Sequence, residues 1–454
     1  MGLNVPRYHS GLRAAFYRGG TSRGLIVTAS HLAAYDQATR DRILCAAMGS
    51  PDPDGRQIDG LGGGASSLSK IAIINAPGRG FVKTAAEAGN PLPGVEWADD
   101  FTQARDRRTG WDVVYRFGQV PIKSGTTVDW STTCANLVAA VAHSAVRSGN
   151  VNGKRIDQHL LREGHAITDE FRFPLRILCA NTGGRFTAHV PVARAGSLWQ
   201  PVDVGSASIS GVPGTAPSTI VETPLDGPVL LPTGNPRDEV TLPDGSTIAV
   251  SIVNAGLPII FVRASDFGVD FNKLTSHPAD LDSDGALGAR VEELRKAASQ
   301  LCSELRQLYF PGSASPKVCL LHRRAAYKST GGTDVTEDSN DIVARAISVG
   351  QFHRTIPATV LSALGVASGF KETTVSEIIR EGSSDTTALT PKWAKELNKG
   401  KRGLIRFLRV GQPAGVSSTC IRVPAGASQP DAILMERTAK LIMNGDVSIP
   451  AQLM

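Results

Sequence analysis

Residues 57–70 read Gln57-Ile58-Asp59-Gly60-Leu61-Gly62-Gly63-Gly64-Ala65-Ser66-Ser67-Leu68-Ser69-Lys70. They bring bare backbone amides, adjacent hydroxyls and one amine into a short stretch. Glycines at 60, 62, 63 and 64 let the backbone approach a ligand and turn N–H groups towards it. Ser66 and Ser67 add hydroxyl donors. Lys70 opens an apolar run, Ile71-Ala72-Ile73-Ile74, that reads as a buried strand. The combination suits a carboxylate cradle with an amine at its lip. A lysine works as a general base only where burial and cationic neighbours lower its pKa. Arg18 and Arg23 supply such neighbours if the first turn folds against this loop. Otherwise Lys70 snorkels at a strand end. The string Gly60-x-Gly62-x-x-Ala65 also fits a dinucleotide fingerprint. That reading is rejected, because a polar Gln-Ile-Asp precedes it and a β-branched run follows, where the fingerprint needs a strand and then a helix.

A second constellation is Cys134-Ala135-Asn136, read as the start of a helix over 135–146. A thiol at a helix N-terminus is stabilised as thiolate, and Asn136 can hold a carboxylate. The alternative is a small buried cysteine. Ser22 lies in a Gly-rich turn between Arg18 and Arg23, near a substrate or simply in a turn. Arg345 alternates with apolar neighbours on a strand, as a bidentate carboxylate clamp or facing solvent. His353 has no second histidine or carboxylate at metal-ligand spacing, so it reads as a capping or core residue.

Strands at 11–17 and 24–28 flank the turn Arg18–Gly24, and a helix at 38–48 stops at Gly49-Ser50-Pro51. The loop and a strand at 70–75 follow. Residues 111–123 alternate as a strand. Hydroxyl residues at 131–133 are candidate caps for the helix after Cys134. Strands at 174–179 and 185–191 close this half, and a Gly/Pro/Ser/Thr-rich stretch, 205–219, marks a crossing to a second domain. There the expectations are a helix at 286–308, a strand at 341–348 and a helix from Pro357. A polar surface insertion follows at 371–402, and a helix-like run at 430–444 ends at Gly445. The strand, turn and helix ending near 146 are echoed by the strand at 341–348 and the helix from 357.

The chain of 454 residues has room for two domains, one of residues 10–200 with 428–454 and one of 201–427. The 48 basic and 42 acidic residues leave a net +6, without a basic run, which argues against nucleic acid. No apolar window approaches the ~20 residues of a membrane span. The six cysteines are scattered without a C-x-x-C pair. They suggest reduced thiols in a cytoplasmic compartment. Arg7 and Arg13, with no acid before Asp36, are a weak mitochondrial hint.

Several segments together resemble the PrpF family of methylaconitate isomerases and its aconitate, methylitaconate and oxalomesaconate relatives. They are Tyr17–Gly24, Met48–Asp52, Gln57–Gly63, Ser66–Lys70 and Cys134–Leu137, with weaker agreement at Asp341–Ser348 and Gln412–Gly415. The resemblance implies an α/β, diaminopimelate-epimerase-like fold. Two similar domains, each a curled sheet around a central helix, would enclose the site between them. It implies no cofactor and no metal, and a small di- or tricarboxylate as partner; a homodimer is compatible with it. It makes Lys70 the base and Cys134 a second acid/base or orienting group. Ser22, Gly62, Gly63, Ser66, Ser67 and Asn136 would bind carboxylates. Gly64, Arg18, Arg23 and Arg345 join them on the residue-level reading. Backbone N–H groups at 62–64 and at the helix start would hold the charge of a dienolate. Two departures from the family stand out. Ala135 replaces a usual glycine, and Gln412 replaces a usual histidine. The second helix start lacks a thiol, which favours lysine-based isomerisation over two-thiol racemisation. The other readings are an amino-acid racemase or epimerase of the same fold and a non-catalytic carboxylate-binding protein.

Overall fold

The computed structural model describes residues 9–78, 101–106, 109–130, 133–164, 171–226, 229–301, 315–348, 350–382, 390–398 and 403–453. Residues Ser131 and Thr132, the distal part of the expected 286–308 helix with Cys302, and parts of the 371–402 stretch lie outside them.

The chain divides into two compact units, 1–222 with 436–454 and 223–435. The expected boundaries fell earlier in the chain. Residues 205–219 do not leave the first unit: Ala207 and Ala216 form a bridge, and the strand Ser218–Pro224 pairs with the strand Arg185–Ala195. Backbone pairing, rather than glycine content, decides where the crossing occurs.

In the first unit β1 (His9–Gly19) forms a hairpin with β2 (Ser22–Thr28). β2 lies parallel to β3 (Lys70–Asn75), which is antiparallel to β4 (Val113–Gln119). β4 runs parallel to β5 (Phe171–Cys179), and β5 pairs antiparallel with β6 (Arg185–Ala195). The last strand, Ala432–Pro450, pairs along β1 and also with the strand Ser218–Pro224, which pairs with β6, so the pairings close into a ring. Inside the ring runs helix α2, Val138–Arg147; α1, Gln37–Ala47, packs on the other sheet face. The α2 sequence Val-Ala-Ala-Val-Ala-His-Ser-Ala-Val is small and apolar on all sides, the pattern of a helix buried all round. Its one imidazole, His143, hydrogen-bonds Thr219 Oγ1 at 2.7 Å, and burial lowers its pKa to about 4.

The second unit repeats the order of pairing. Thr247–Asn254 forms a hairpin with Pro258–Arg263, which lies parallel to Lys317–Arg323. That strand is antiparallel to Ile342–Ser348, which is parallel to Gly403–Gln412, itself antiparallel to Gly415–Pro424. The central helix is Ala358–Gly369. Each unit is fastened from within by its own Asp–Arg pair, set at the matching place. Asp112, ahead of β4, takes N–H and guanidinium bonds from Arg176 of β5 (3.1 and 3.0 Å). Asp341 takes them from Arg409 (2.7 and 2.6 Å). The echo noted in the sequence is therefore a repeat of strand order and of its fastening.

Two expectations fail. The run expected as helix over 430–444 is strand from Ala432, and the strand continues through Gly445, which pairs with Ala14. Partners distant in sequence override local spacing that suits either structure. The 371–402 stretch is not merely a surface insertion: helix Thr374–Glu381 buries Val375 and Ile378 in the second unit's core.

Candidate active site

Pairing register assembles the first-unit residues. Lys70 is the first residue of β3, opposite Gly24 on one side and Gln119 on the other. Paired residues share a sheet face. Lys70, Ala72 and Ile74 therefore face α2, and Gly24 and Ser22 share that face. Ser22 is buried, with its hydroxyl 3.8 Å from the Cys134 sulfur. The amine, hydroxyl and thiol thus belong to the inner face of the sheet near the head of α2.

Lys70 is half-buried. Its Nζ donates to Gln119 Oε1 at 2.8 Å and lies 5.1 Å from the Phe117 ring centre. Gln119 was not singled out in the sequence, yet it orients this amine. Its own N–H groups donate to the carbonyls of Ser69 (2.9 Å) and Ser66 (3.2 Å), which turns the amide oxygen towards Lys70.

The expected cationic neighbours of Lys70 are on the other face. Arg18 and Arg23 form a cross-strand pair one residue out of phase with Gly24. Arg18 Nη1 is tied to Gly20 O, Thr438 O and Thr438 Oγ1 (3.0, 3.1 and 2.9 Å). Burial lowers its pKa. Arg23 lies over the Phe16 ring, and its Nη2 would be 2.5 Å from a Cβ at Gly63. The first turn does meet the Gly-rich loop, but through Arg23 and Gly63 rather than at the amine.

The loop is held by a residue whose role was not anticipated. Gln57 is wholly buried and adopts a left-handed φ of 54°. Its side chain donates to Ser50 Oγ (2.7 Å) and accepts from Gly64 N–H (3.0 Å) and the Ser69 hydroxyl. Gly62 N–H donates to Met48 O at 3.1 Å. The expected three-amide cradle is therefore reduced, since Gly62 and Gly64 donate inside the loop. Among the described residues Gly63 N–H and the Ser66 and Ser67 hydroxyls have no protein partner. Gly62 is required by close approach: a Cβ there would be 2.3 Å from Gln57 Oε1 and 2.5 Å from Met48 O.

Cys134 is half-buried and packs against the α2 core. It is not the helix start. Its carbonyl accepts from Leu137 N–H in a lead-in turn, and α2 begins at Val138 without a side-chain cap. The hydroxyl-cap expectation fails on that account. Asn136 Nδ2 donates to Thr21 Oγ1 at 3.2 Å. Gly20, at φ +55°, is the residue that admits it, because a Cβ there would be 2.8 Å from Asn136 Oδ1. A further buried residue, Arg437 of the last strand, lies close enough to Cys134 to feel its charge, and burial lowers the Arg437 pKa to about 10.

Arg345 is neither exposed nor on the face of its unit's central helix. Only 1% exposed, it lies 5.8 Å from the Tyr327 ring centre within the core on the opposite sheet face. Burial lowers its pKa to about 10. The substrate-clamp expectation for Arg345 finds no support in this placement. Gln412 is buried and accepts from Ile356 and Ala414 N–H groups (3.3 and 3.1 Å), a structural knot.

The described residues contain no helix long and apolar enough to cross a membrane. The chain is 28% identical over 457 residues to a 2-methyl-aconitate isomerase of Shewanella oneidensis, covering 96% of each chain. It is 28% identical to a 3-methylitaconate isomerase of Eubacterium barkeri, covering 95% of each. The crystal structure of a methylitaconate-delta-isomerase superposes with a TM-score of 0.72 at 26% identity, covering 98% of this chain and 97% of that one. The fold is thus the epimerase-like α/β fold expected. The PrpF protein family model matches residues 11–80 and 103–450, and the chain belongs to that family.

Proposed function

We propose that the protein interconverts isomers of an aconitate-type di- or tricarboxylate by allylic proton transfer, without a cofactor. The chain is an isomerase of unsaturated acids, as are its named relatives along nearly its whole length. The finer reading rests on one observation: Lys70 and the Ser22–Cys134 pair share the inner face of one sheet, with Gln119 aiming its amide oxygen at the amine.

Lys70, as the uncharged amine, takes a proton from the allylic carbon. The C–H electron pair moves into the neighbouring carboxylate as a dienolate. Gly63 N–H and the Ser66 and Ser67 hydroxyls hold that carboxylate and gain strength as its charge grows. Ser22, Cys134 and Asn136 orient the rest of the substrate. Rotation about the transiently single bond gives the geometric isomer; return of the proton at the other terminus moves the double bond.

Proton NMR in deuterated water tests this with cis-aconitate, trans-aconitate, 2-methylaconitate and itaconate-type acids. The reading expects one of them to change isomer with deuterium entering at an allylic carbon. Binding without exchange would instead support a carboxylate-binding protein.

A further inference from the structure

The inner face of β4 carries Gln119 opposite Lys70, Phe117 opposite Ala72 and Tyr115 opposite Ile74. Gln119 and Phe117 serve the Lys70 amine. Tyr115 meets the other half of the constellation. It is wholly buried, yet its hydroxyl lies 2.8 Å from Oγ1 of Thr133, an exposed residue directly before Cys134. A buried phenol needs a partner for its hydroxyl, and here that partner belongs to the turn that carries the thiol. Cys179, paired with Tyr115 on β5, donates its S–H to the same Thr133 oxygen at 3.3 Å. Burial pushes the Tyr115 phenol well above its usual range, and the charges of Cys179 and Cys134 add to this, so the hydroxyl lies near both thiols.

The residues ahead of Thr133 are fastened to the same strand. Gln119 and Asp129 exchange backbone bonds, both of 2.9 Å. Asn181 Oδ1 accepts from Phe117 N–H at 2.7 Å, and its Nδ2 donates to the carbonyls of Phe117 and Trp130 at 2.8 and 2.7 Å. Asp129 is thus tied at Gln119, Trp130 at Phe117 and Thr133 at Tyr115, in step back along β4. Beyond Thr133, Leu137 N–H closes the lead-in turn on the Cys134 carbonyl at 3.1 Å. The Tyr115–Thr133 contact is the tie nearest the thiol, and the strand that makes it is the one whose Gln119 side chain holds Lys70.

We propose that Tyr115 is a positioning residue of the isomerase: through Thr133 it holds the turn that sets the Cys134 thiol against Ser22, so that β4 fixes both the thiol and the Lys70 amine. The proposal rests on the reading of Lys70 as the base and of Cys134 as a group that orients the acid. Tyr115 itself touches no substrate. One hydroxyl contact adds little to stability. Its effect on rate is larger, because a small displacement of an orienting group takes the reacting carbon out of line with the base.

The test labels the native protein with iodoacetamide, locates the label by peptide mass, and takes kcat and KM with the acid that turns over in the screen above. The variants are Tyr115→Phe, Thr133→Val, Thr133→Ser and the double change Tyr115→Phe with Thr133→Val. Tyr115→Phe and Thr133→Val should each lower kcat by about tenfold or more and keep KM within about threefold, since the cradle at Gly63, Ser66 and Ser67 is untouched. Each frees the turn and should speed labelling of the half-buried Cys134 by about fivefold or more. The double change should lose no more than Thr133→Val alone, because both cut the same contact. Thr133→Ser keeps the hydroxyl and should stay within about threefold of wild type in both readouts. Smaller changes in kcat or in labelling, a KM that rises with the loss of kcat, additive losses, or a Thr133→Ser protein that behaves as Thr133→Val overturn the proposal. Thr133→Val alters an exposed residue and decides the matter if Tyr115→Phe does not fold. Labelling needs no substrate, so it tests the hold on Cys134 by itself; the reading of Lys70 fails separately, if Lys70→Ala keeps deuterium exchange.

Discussion

Replacing Gln57 by alanine isolates how the Gly-rich loop is held. The side-chain amide accepts from a half-buried donor, Gly64 N–H, and a buried one, the Ser69 hydroxyl, and donates to Ser50 Oγ. Ser50 keeps its bond to Pro121 O at 2.6 Å, so it is not orphaned as a donor. The two lost acceptor contacts leave donors unsatisfied at about 1–3 kcal/mol each. Water entering the space vacated by the side chain recovers part of this, so the expected loss is about 2–4 kcal/mol. The left-handed backbone contributes nothing to the difference, because alanine and glutamine are strained alike at φ 54°. The loss belongs to the first unit, so thermal unfolding should show its transition moving down by several degrees. Freed from Gln57, Gly64 and Ser69 shift the neighbouring Gly63, Ser66 and Ser67, and KM should rise more than kcat falls. A Gln57→Ala protein with unchanged melting and unchanged KM would refute the assignment of Gln57 as the hub of the loop.

Gln119→Glu places a carboxylate where the amide oxygen now meets Lys70 at 2.8 Å; it favours the ammonium and removes a donor to the Ser66 and Ser69 carbonyls. Turnover at neutral pH should fall at least tenfold in steady-state kinetics, and turnover within twofold of wild type would count against Gln119 as the residue that orients the amine. His143 has a folded pKa depressed from 6.5 to about 4. Its contribution to stability is present above pH 6.5 and is lost as pH falls through 4, about 2 kcal/mol of it between pH 7 and 5. His143→Gln can keep a bond to Thr219 without titrating there, so its stability should fall less than wild type over that interval in paired melts.

Much of this arrangement was legible in the residues, and the failures have physical causes. The first hairpin, the helix before Pro51 and the strand opened by Lys70 are specified by local signals: a Gly-rich turn, the Gly49-Ser50-Pro51 stop, and a β-branched run. The chemistry-bearing segments were legible because they are contiguous. Long-range features were not. The last strand reads as a helix because its apolar residues fit both periods, and only its pairing with β1, some 430 residues away, settles it. Gln57 and Gln119 look like ordinary polar residues in sequence; their importance lies in which carbonyls, hydroxyls and amines the fold brings to one amide. The assumed effect of Arg18 and Arg23 on Lys70 failed by one residue of phase, which sends a side chain to the other face of a sheet. Arg345 was misjudged because the face on which a strand arginine is buried depends on the neighbouring layer.

The account turns on whether Lys70 breaks the C–H bond. The direct measurement is the initial rate of deuterium entry at the allylic carbon, by proton NMR, for wild type and Lys70→Ala with equal saturation by the acid. The account predicts that Lys70→Ala melts within a few degrees of wild type, binds the acid and shows exchange and isomerisation reduced by at least a thousandfold. Exchange within tenfold of wild type in that variant would contradict it.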